Sequence, residues 1–156
     1  MSDSAERSPG RSGVRSGTRS GARSVARKLA MQALYRLQLN EAPWQDVLLE
    51  FSVEEDMARA DREYFDEIVR VIAESRVALD EQLAAWVDRP PAELDPVEHA
   101  VLLIGVHELA ARPDVPWRVV VNEAVTLARK YGATDAHKFV NAVLDRAARA
   151  LRPLEH

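Results

Sequence analysis

The residues best suited to chemistry lie near the start of the chain, where six arginines recur at every fourth position. These are Arg7, Arg11, Arg15, Arg19, Arg23 and Arg27, and the tetrad Arg-Ser-Gly-X repeats three times among them. With Lys28, and against Asp3 and Glu6, they give the first 28 residues a net charge of +5, so the remainder carries −9 of the total of −4. A basic arm on an acidic body is typical of nucleic-acid-binding proteins. The alternative is a solvated tail that only aids solubility.

This arginine-rich stretch is predicted to be a disordered tail over residues 1–21. Spacing by four would align the arginines on a helix, but repeated like charges and four glycines both oppose helix formation. Those glycines are Gly10, Gly13, Gly17 and Gly21, and Pro9 lies beside them. A tail of this composition favours the phosphate backbone of a nucleic acid without reading its sequence.

A second candidate group follows on the first predicted helix, which begins near Ala22. Lys28, Gln32 and Tyr35 fall on a face beside the apolar stripe of that helix. Proteins read single-stranded RNA by stacking its bases on aromatic rings and by hydrogen bonds to base edges, and these side chains offer both. The alternative is that Tyr35 packs as a half-apolar ring with its hydroxyl in solvent.

The elements that must position these residues are all predicted to be helices, six or seven in number. Apolar stripes recur at helical spacing along the chain, no segment alternates with period two, and a break is expected near Ser75. The clearest helix start has Asp95 as N-cap and Pro96 at the first helical position. The apolar run from Ala100 to Val106 predicts a buried central helix. The last helix is expected to begin at Thr134 or Asp135.

The sequence offers little for catalysis. There is no cysteine, no two of the four histidines are spaced as ligands on one helix, and no glycine-rich loop is available to hold a phosphate in the body. His107 is interpreted as a core histidine, and Asn122-Glu123 as the wet face of a helix. No apolar run approaches the roughly 18 residues of a membrane span. We therefore expect a cytoplasmic, non-enzymatic protein with no cofactor, metal, membrane contact or small-molecule substrate.

Four colinear stretches resemble the NusB family. They are residues 26–35 (ARKLAMQALY), 95–109 (DPVEHAVLLIGVHEL), 115–132 (VPWRVVVNEAVTLARKYG) and 137–145 (HKFVNAVLD). The resemblance covers about residues 22–152. Two departures are the interruption of the family's arginine cluster by Ser24 and Val25, and Asn141-Ala142 where the family usually has Asn-Gly.

The resemblance implies two small helical bundles packed together, here expected over residues 22–89 and 92–152. It also implies an RNA-binding transcription antitermination factor that binds boxA-type leader RNA with NusE, a small-subunit ribosomal protein. Within an RNA polymerase antitermination complex, the pair would support ribosomal RNA transcription. A helical protein-interaction domain without direct RNA binding is the alternative.

The resemblance also places functional residues on the sequence. The RNA surface is expected to contain Arg23, Arg27, Lys28, Gln32 and Tyr35 from the first helix, and Asp135, Lys138 and Phe139 from the last. Glu93 and Glu98, at the proline-rich entry to the central helix, are expected to meet the basic ribosomal protein.

Overall fold

The computed structural model describes residues 20–156 in full, and of residues 3–19 it gives only the backbone, as part of the first helix. The predicted disordered tail therefore falls almost wholly outside the fully described residues, and it stays a prediction. Ser20 and Gly21, at the end of the predicted tail, are already helical.

Seven α-helices and three short 3-10 turns make up the described chain, and no strand is found in it. The helices are α1 (Asp3–Leu39), α2 (Trp44–Phe51), α3 (Arg62–Glu74), α4 (Arg76–Ala84), α5 (Pro96–Ala111), α6 (Trp117–Tyr131) and α7 (Ala136–Leu151). The 3-10 turns are Glu55–Arg59, Pro91–Glu93 and Pro153–Glu155. The all-helical prediction is confirmed.

The helix boundaries follow from local side-chain chemistry. The Asp95 carboxylate accepts hydrogen bonds from the backbone amides of Val97 (3.0 Å) and Glu98 (3.4 Å), as expected of an N-cap. Asp61 caps α3 in the same way, because its carboxylate accepts from the amide of Tyr64 at 3.1 Å. The predicted break at Ser75 is confirmed, since this residue separates α3 from α4 with a non-helical backbone.

The helices pack in two groups that share one hydrophobic core. Helices α1, α2 and α3 contact one another, as do α5, α6 and α7, and α1 and α3 also pack against α5. Helix α5 is buried from His99 to Leu109, as predicted for the central helix. At Gly105 it approaches α7 so closely that an added Cβ would lie 2.7 Å from a Leu144 methyl carbon. Because the core is continuous between the groups, the subdomain boundaries stay a prediction.

The Val119–Val121 run lies in α6, although valine by itself favours strands. Val120 and Val121 are buried on α6, whereas Val119 is 40% exposed, which is the pattern of a helix with one apolar face.

In the part of the chain that the structure describes, no helix combines the length and the apolar content that a membrane crossing demands.

Candidate nucleic-acid interface

A groove runs between α1 and α6, and it brings together most of the polar residues predicted on the first helix. One section, of about 290 Å³, has cationic side chains on both walls. It is lined by Ser24, Val25, Lys28, Arg59, Glu123, Thr126, Leu127, Lys130 and Tyr131. Helix α1 lies against this part of the chain because its apolar stripe, including Ala26, Leu29 and Ala30, is fully buried in the core.

The second section of the groove, of about 300 Å³, is aromatic and largely apolar. Its lining consists of Met31, Gln32, Tyr35, Val97 and Tyr131, so Tyr131 belongs to both sections. Tyr35 is 38% exposed, and Nζ of Lys130 lies 5.6 Å from the centre of the Tyr131 ring. Two phenol rings with a carboxamide and a cation nearby can stack bases and bond to their edges.

The charge of the groove is partly neutralised from its rim. The ammonium of Lys28 donates a hydrogen bond to Asp56, and Nη2 of Arg59 lies 2.6 Å from the other oxygen of that carboxylate. The hydrogen bond from Lys28, and next that from Arg59, lowers the pKa of Asp56 to about 2. Lys28 and Arg59 therefore face the groove already paired with one anion.

Arg27 does not line the groove and is almost fully buried, and its contact with RNA stays a prediction. Only 3% of this residue is exposed. Its Nε lies 3.0 and 2.9 Å from the two carboxylate oxygens of Glu108, and Nη1 lies 3.3 Å from Glu123. Burial disfavours the charged guanidinium, but the charge of Glu108 and its hydrogen bond outweigh burial and raise the pKa of Arg27. Arg27 thus anchors α1 to α5 and α6.

Glu123 links this buried pair to the groove. Besides Arg27, its carboxylate accepts a hydrogen bond from the Ser24 hydroxyl at 3.0 Å. The interpretation of Asn122-Glu123 as a wet helix face holds for Asn122, which is exposed, but not for Glu123. Ser24, which interrupts the arginine cluster, therefore has a structural partner on α6.

Arg23 lies at the rim of a separate cleft, with its charge shared between two carboxylates. Its guanidinium is 3.7 Å from Asp61 and 3.4 Å from Asp114, and it stacks on the Tyr64 ring at 4.3 Å. The Tyr64 hydroxyl in turn donates to Glu108, and burial, with the nearby Glu108 charge, raises the pKa of Tyr64. Arg23 keeps partial exposure, so its contact with RNA stays a prediction.

The residues predicted on α7 form a different cluster. Asp135 and Lys138 are exposed and paired at 3.4 Å, and neither lines the groove. Asp135 has a left-handed backbone with φ 68°, and its side chain makes no capping hydrogen bond. Phe139 is partly buried against the core, with the Arg89 guanidinium 5.2 Å from its ring centre. The roles of these three residues in RNA binding stay predictions.

The predicted partner residues lie at the α4–α5 connection. Glu93 is exposed at the end of the 3-10 turn, and Glu98 is partly buried in the first turn of α5. Burial, and then the charge of Asp95, raises the pKa of Glu98. Val97 lines the aromatic section of the groove, so this connection lies directly beside it.

Among the cationic and aromatic residues of the groove, three were not predicted from the sequence: Arg59, Lys130 and Tyr131. Lys130 and Tyr131 lie in the last turn of α6, and in the sequence they belong to the stretch 115–132 that resembles the NusB family. The sequence held one signal for Lys130 and Tyr131. Like α1, which has Lys28 and Tyr35, α6 has a lysine and a tyrosine at the edge of its apolar stripe.

Comparisons with known proteins agree with this architecture. The sequence profile of the NusB family matches residues 24–149. A protein named transcription antitermination protein NusB, from Marinobacter nauticus, is 41% identical over 155 residues, covering 99% of this chain and 98% of that protein. The protein of that name from Teredinibacter turnerae is 47% identical over 127 residues, covering 81% and 86% of the two chains. A solved structure of T. maritima NusB, 24% identical, matches the fold with a TM-score of 0.72 over 81% of this chain and 89% of that one.

Proposed function

This chain belongs to the NusB family, and we propose that it binds single-stranded boxA-type RNA as a transcription antitermination factor. The observation that carries the proposal is the groove between α1 and α6. Gln32, Tyr35 and Tyr131 line its aromatic section, and Lys28 and Lys130 line its cationic section. Nothing in the groove resembles a catalytic arrangement, and its composition suits a ligand with stacked bases and phosphates.

The two sections of the groove bind different parts of the RNA strand. Bases of a single strand stack on Tyr35 and Tyr131 in the aromatic section, where the Gln32 amide can bond a base edge. Phosphates follow the cationic section, where Lys28, Arg59 and Lys130 lie. The basic residues 1–28 add affinity for any single strand without reading its sequence.

A protein partner completes the proposed function. The acidic connection at Glu93 and Glu98 suits the basic ribosomal protein NusE, and it lies beside the aromatic section of the groove. RNA and NusE would therefore bind next to each other in the cytoplasm, within the RNA polymerase complex that transcribes ribosomal RNA. Complementary charge at such a rim acts mainly on the rate of association.

Titration of a fluorescent boxA-type strand tests the proposal, with and without NusE. Tyr35→Leu should weaken binding by about 1–3 kcal/mol, the range for loss of one stacked base, whereas Tyr35→Phe should retain it. Trp44→Leu, which changes a partly exposed aromatic residue on α2, is the control. Absence of salt-sensitive RNA binding, with NusE still bound, would favour the protein-interaction alternative.

A further inference from the structure

One carboxylate occupies an unusual place at the edge of the groove. Asp56, in the 3-10 turn Glu55–Arg59, contacts the ammonium of Lys28 and the guanidinium of Arg59 with different oxygens. Both cations line the cationic section of the groove, and Asp56 does not. A carboxylate that bridges two cations makes the same charge-assisted hydrogen bonds as a phosphate group would make there.

The exposure of the three side chains indicates that this arrangement can exchange. Arg59 is 64% exposed, Asp56 34% and Lys28 20%. Ion pairs open to solvent contribute little to folding, so an incoming anion can replace the carboxylate without disturbing the core. Lys130, exposed on the facing wall, adds a third positive charge to the same section.

We propose that Lys28, Arg59 and Lys130 form a phosphate subsite, and that Asp56 is an internal competitor for it. A phosphodiester of the bound strand then replaces the Asp56 carboxylate at Lys28 and Arg59. The proposal rests on RNA binding in this groove and names one subsite within it. Asp56 thereby sets how much of the positive charge of the groove is available to RNA.

The competition does not depend on pH near neutrality. Lys28, and then Arg59, holds the pKa of Asp56 at about 2, so the carboxylate stays ionised through the physiological range. Glu123, the one carboxylate among the described residues that line this section, is already engaged by Ser24 and Arg27. Removal of Asp56 therefore frees Lys28 and Arg59 without supplying another anion from within the groove.

Asp56→Asn in the full chain is the test variant, because it removes the charge and keeps the shape. Binding of a fluorescent single-stranded boxA-type RNA is measured by anisotropy between about 50 and 200 mM salt. We expect binding about two- to fivefold tighter at low salt, the range of one surface ion pair. The slope of log affinity against log salt should steepen by roughly 0.7 for each additional phosphate that the protein neutralises.

Glu55→Gln is the matched control, since it changes the net charge equally in the same turn. Glu55 is exposed, and it forms no ion pair with any residue that the structure describes. Its effect on affinity should be smaller than that of Asp56→Asn. An equal increase in affinity for the two variants would assign the effect to net charge alone and overturn the proposal.

Two further results distinguish a failure of the proposed function from a failure of the phosphate subsite alone. If the parent binds no RNA at any salt concentration, the proposed function fails. If the parent binds and Asp56→Asn, with unchanged melting temperature, binds equally or more weakly, only the subsite fails. Arg59→Gln, a change at an exposed side chain, gives an independent measurement. It should weaken RNA binding and reduce the salt slope. An unchanged slope would overturn the subsite even if Asp56→Asn did not fold.

Discussion

Arg27 and Glu108 form a buried ion pair in which Nε and Nη2 of the guanidinium lie within 3.0 Å of the carboxylate oxygens. The pair joins α1 to the central helix α5, and Glu123 and Tyr64 complete its hydrogen bonds. Loss of one partner from such a pair is costly, because the remaining charge stays buried without its counter-ion. The position of α1, and with it one wall of the groove, depends on this contact.

We predict that Glu108→Gln lowers the free energy of unfolding by about 3 kcal/mol, because it leaves the buried guanidinium undercompensated. The double variant Arg27→Met/Glu108→Gln should recover at least about 1 kcal/mol of this loss, since both charges are then gone. Urea denaturation measures both. Asp145→Asn, which breaks the exposed pair with Arg149, is the control and should cost under about 1 kcal/mol.

The double variant also tests whether Arg27 contacts RNA. A buried guanidinium releases no counter-ions when RNA binds, so the folded double variant should have the same salt slope as the parent. A slope that falls by roughly 0.7 would indicate that Arg27 does reach a phosphate.

The burial of Arg27 illustrates which features of the structure could be predicted from the sequence and which could not. The helix positions could be predicted because apolar spacing and caps such as Asp95 are patterns among residues close together in the chain. The burial of Arg27 depends on Glu108 and Glu123, which are 81 and 96 positions away in the sequence, so no local pattern identifies it. For the same reason Tyr131 could not be assigned to the groove before α6 was placed against α1.

A pH-dependent stability is predicted from His107, which is buried on α5 with Nε2 3.3 Å from Glu67. Burial lowers its pKa below the usual 6.5, and Glu67 opposes this only in part. The fold therefore favours the neutral ring, and unfolding takes up a proton. The contribution is fully present above pH 6.5 and is lost as the pH falls through the lower folded-state pKa.

His107→Gln should consequently flatten the fall in unfolding free energy between about pH 7 and pH 5, relative to the parent. The measurement is urea denaturation across this range. His137→Gln, at a partly exposed position on α7, controls for the loss of one histidine. Parallel curves for the parent and His107→Gln would show that protonation of this ring does not destabilise the fold.

Partner binding is predicted to depend on the charge at the α4–α5 connection. Glu93→Lys should slow association with NusE at low salt, because the acidic rim no longer attracts a basic protein. Glu98 is partly buried, so Glu98→Gln removes its charge with less risk to the fold than reversal. The control is Glu81→Lys, an equal change at an exposed position on α4. Stopped-flow association rates equal to those of the parent would exclude this connection as the docking site.

The last prediction concerns Asp135. Because its backbone is left-handed, the effect of a substitution on stability depends on which residue replaces it. With φ 68° and no capping hydrogen bond from its side chain, Asp135 adopts a conformation that glycine and asparagine tolerate better than alanine. Asp135→Asn should leave the melting temperature nearly unchanged, whereas Asp135→Ala should lower it by about 2–4 °C, the shift for about 1 kcal/mol in a chain of this size.

Both variants remove the carboxylate that lies 3.4 Å from the Lys138 ammonium, so both should tighten RNA binding modestly. The effect should be greatest at low salt, because both side chains are exposed and their charges are screened by ions. Asparagine thus separates the electrostatic effect from the backbone effect, since it removes the charge and tolerates the left-handed conformation. RNA anisotropy and thermal melts of the parent and both variants provide the comparison. Weaker RNA binding by a fully folded Asp135→Asn would mean that the carboxylate accepts hydrogen bonds from the RNA or orients Lys138 toward it, and the repulsion argument would then fail.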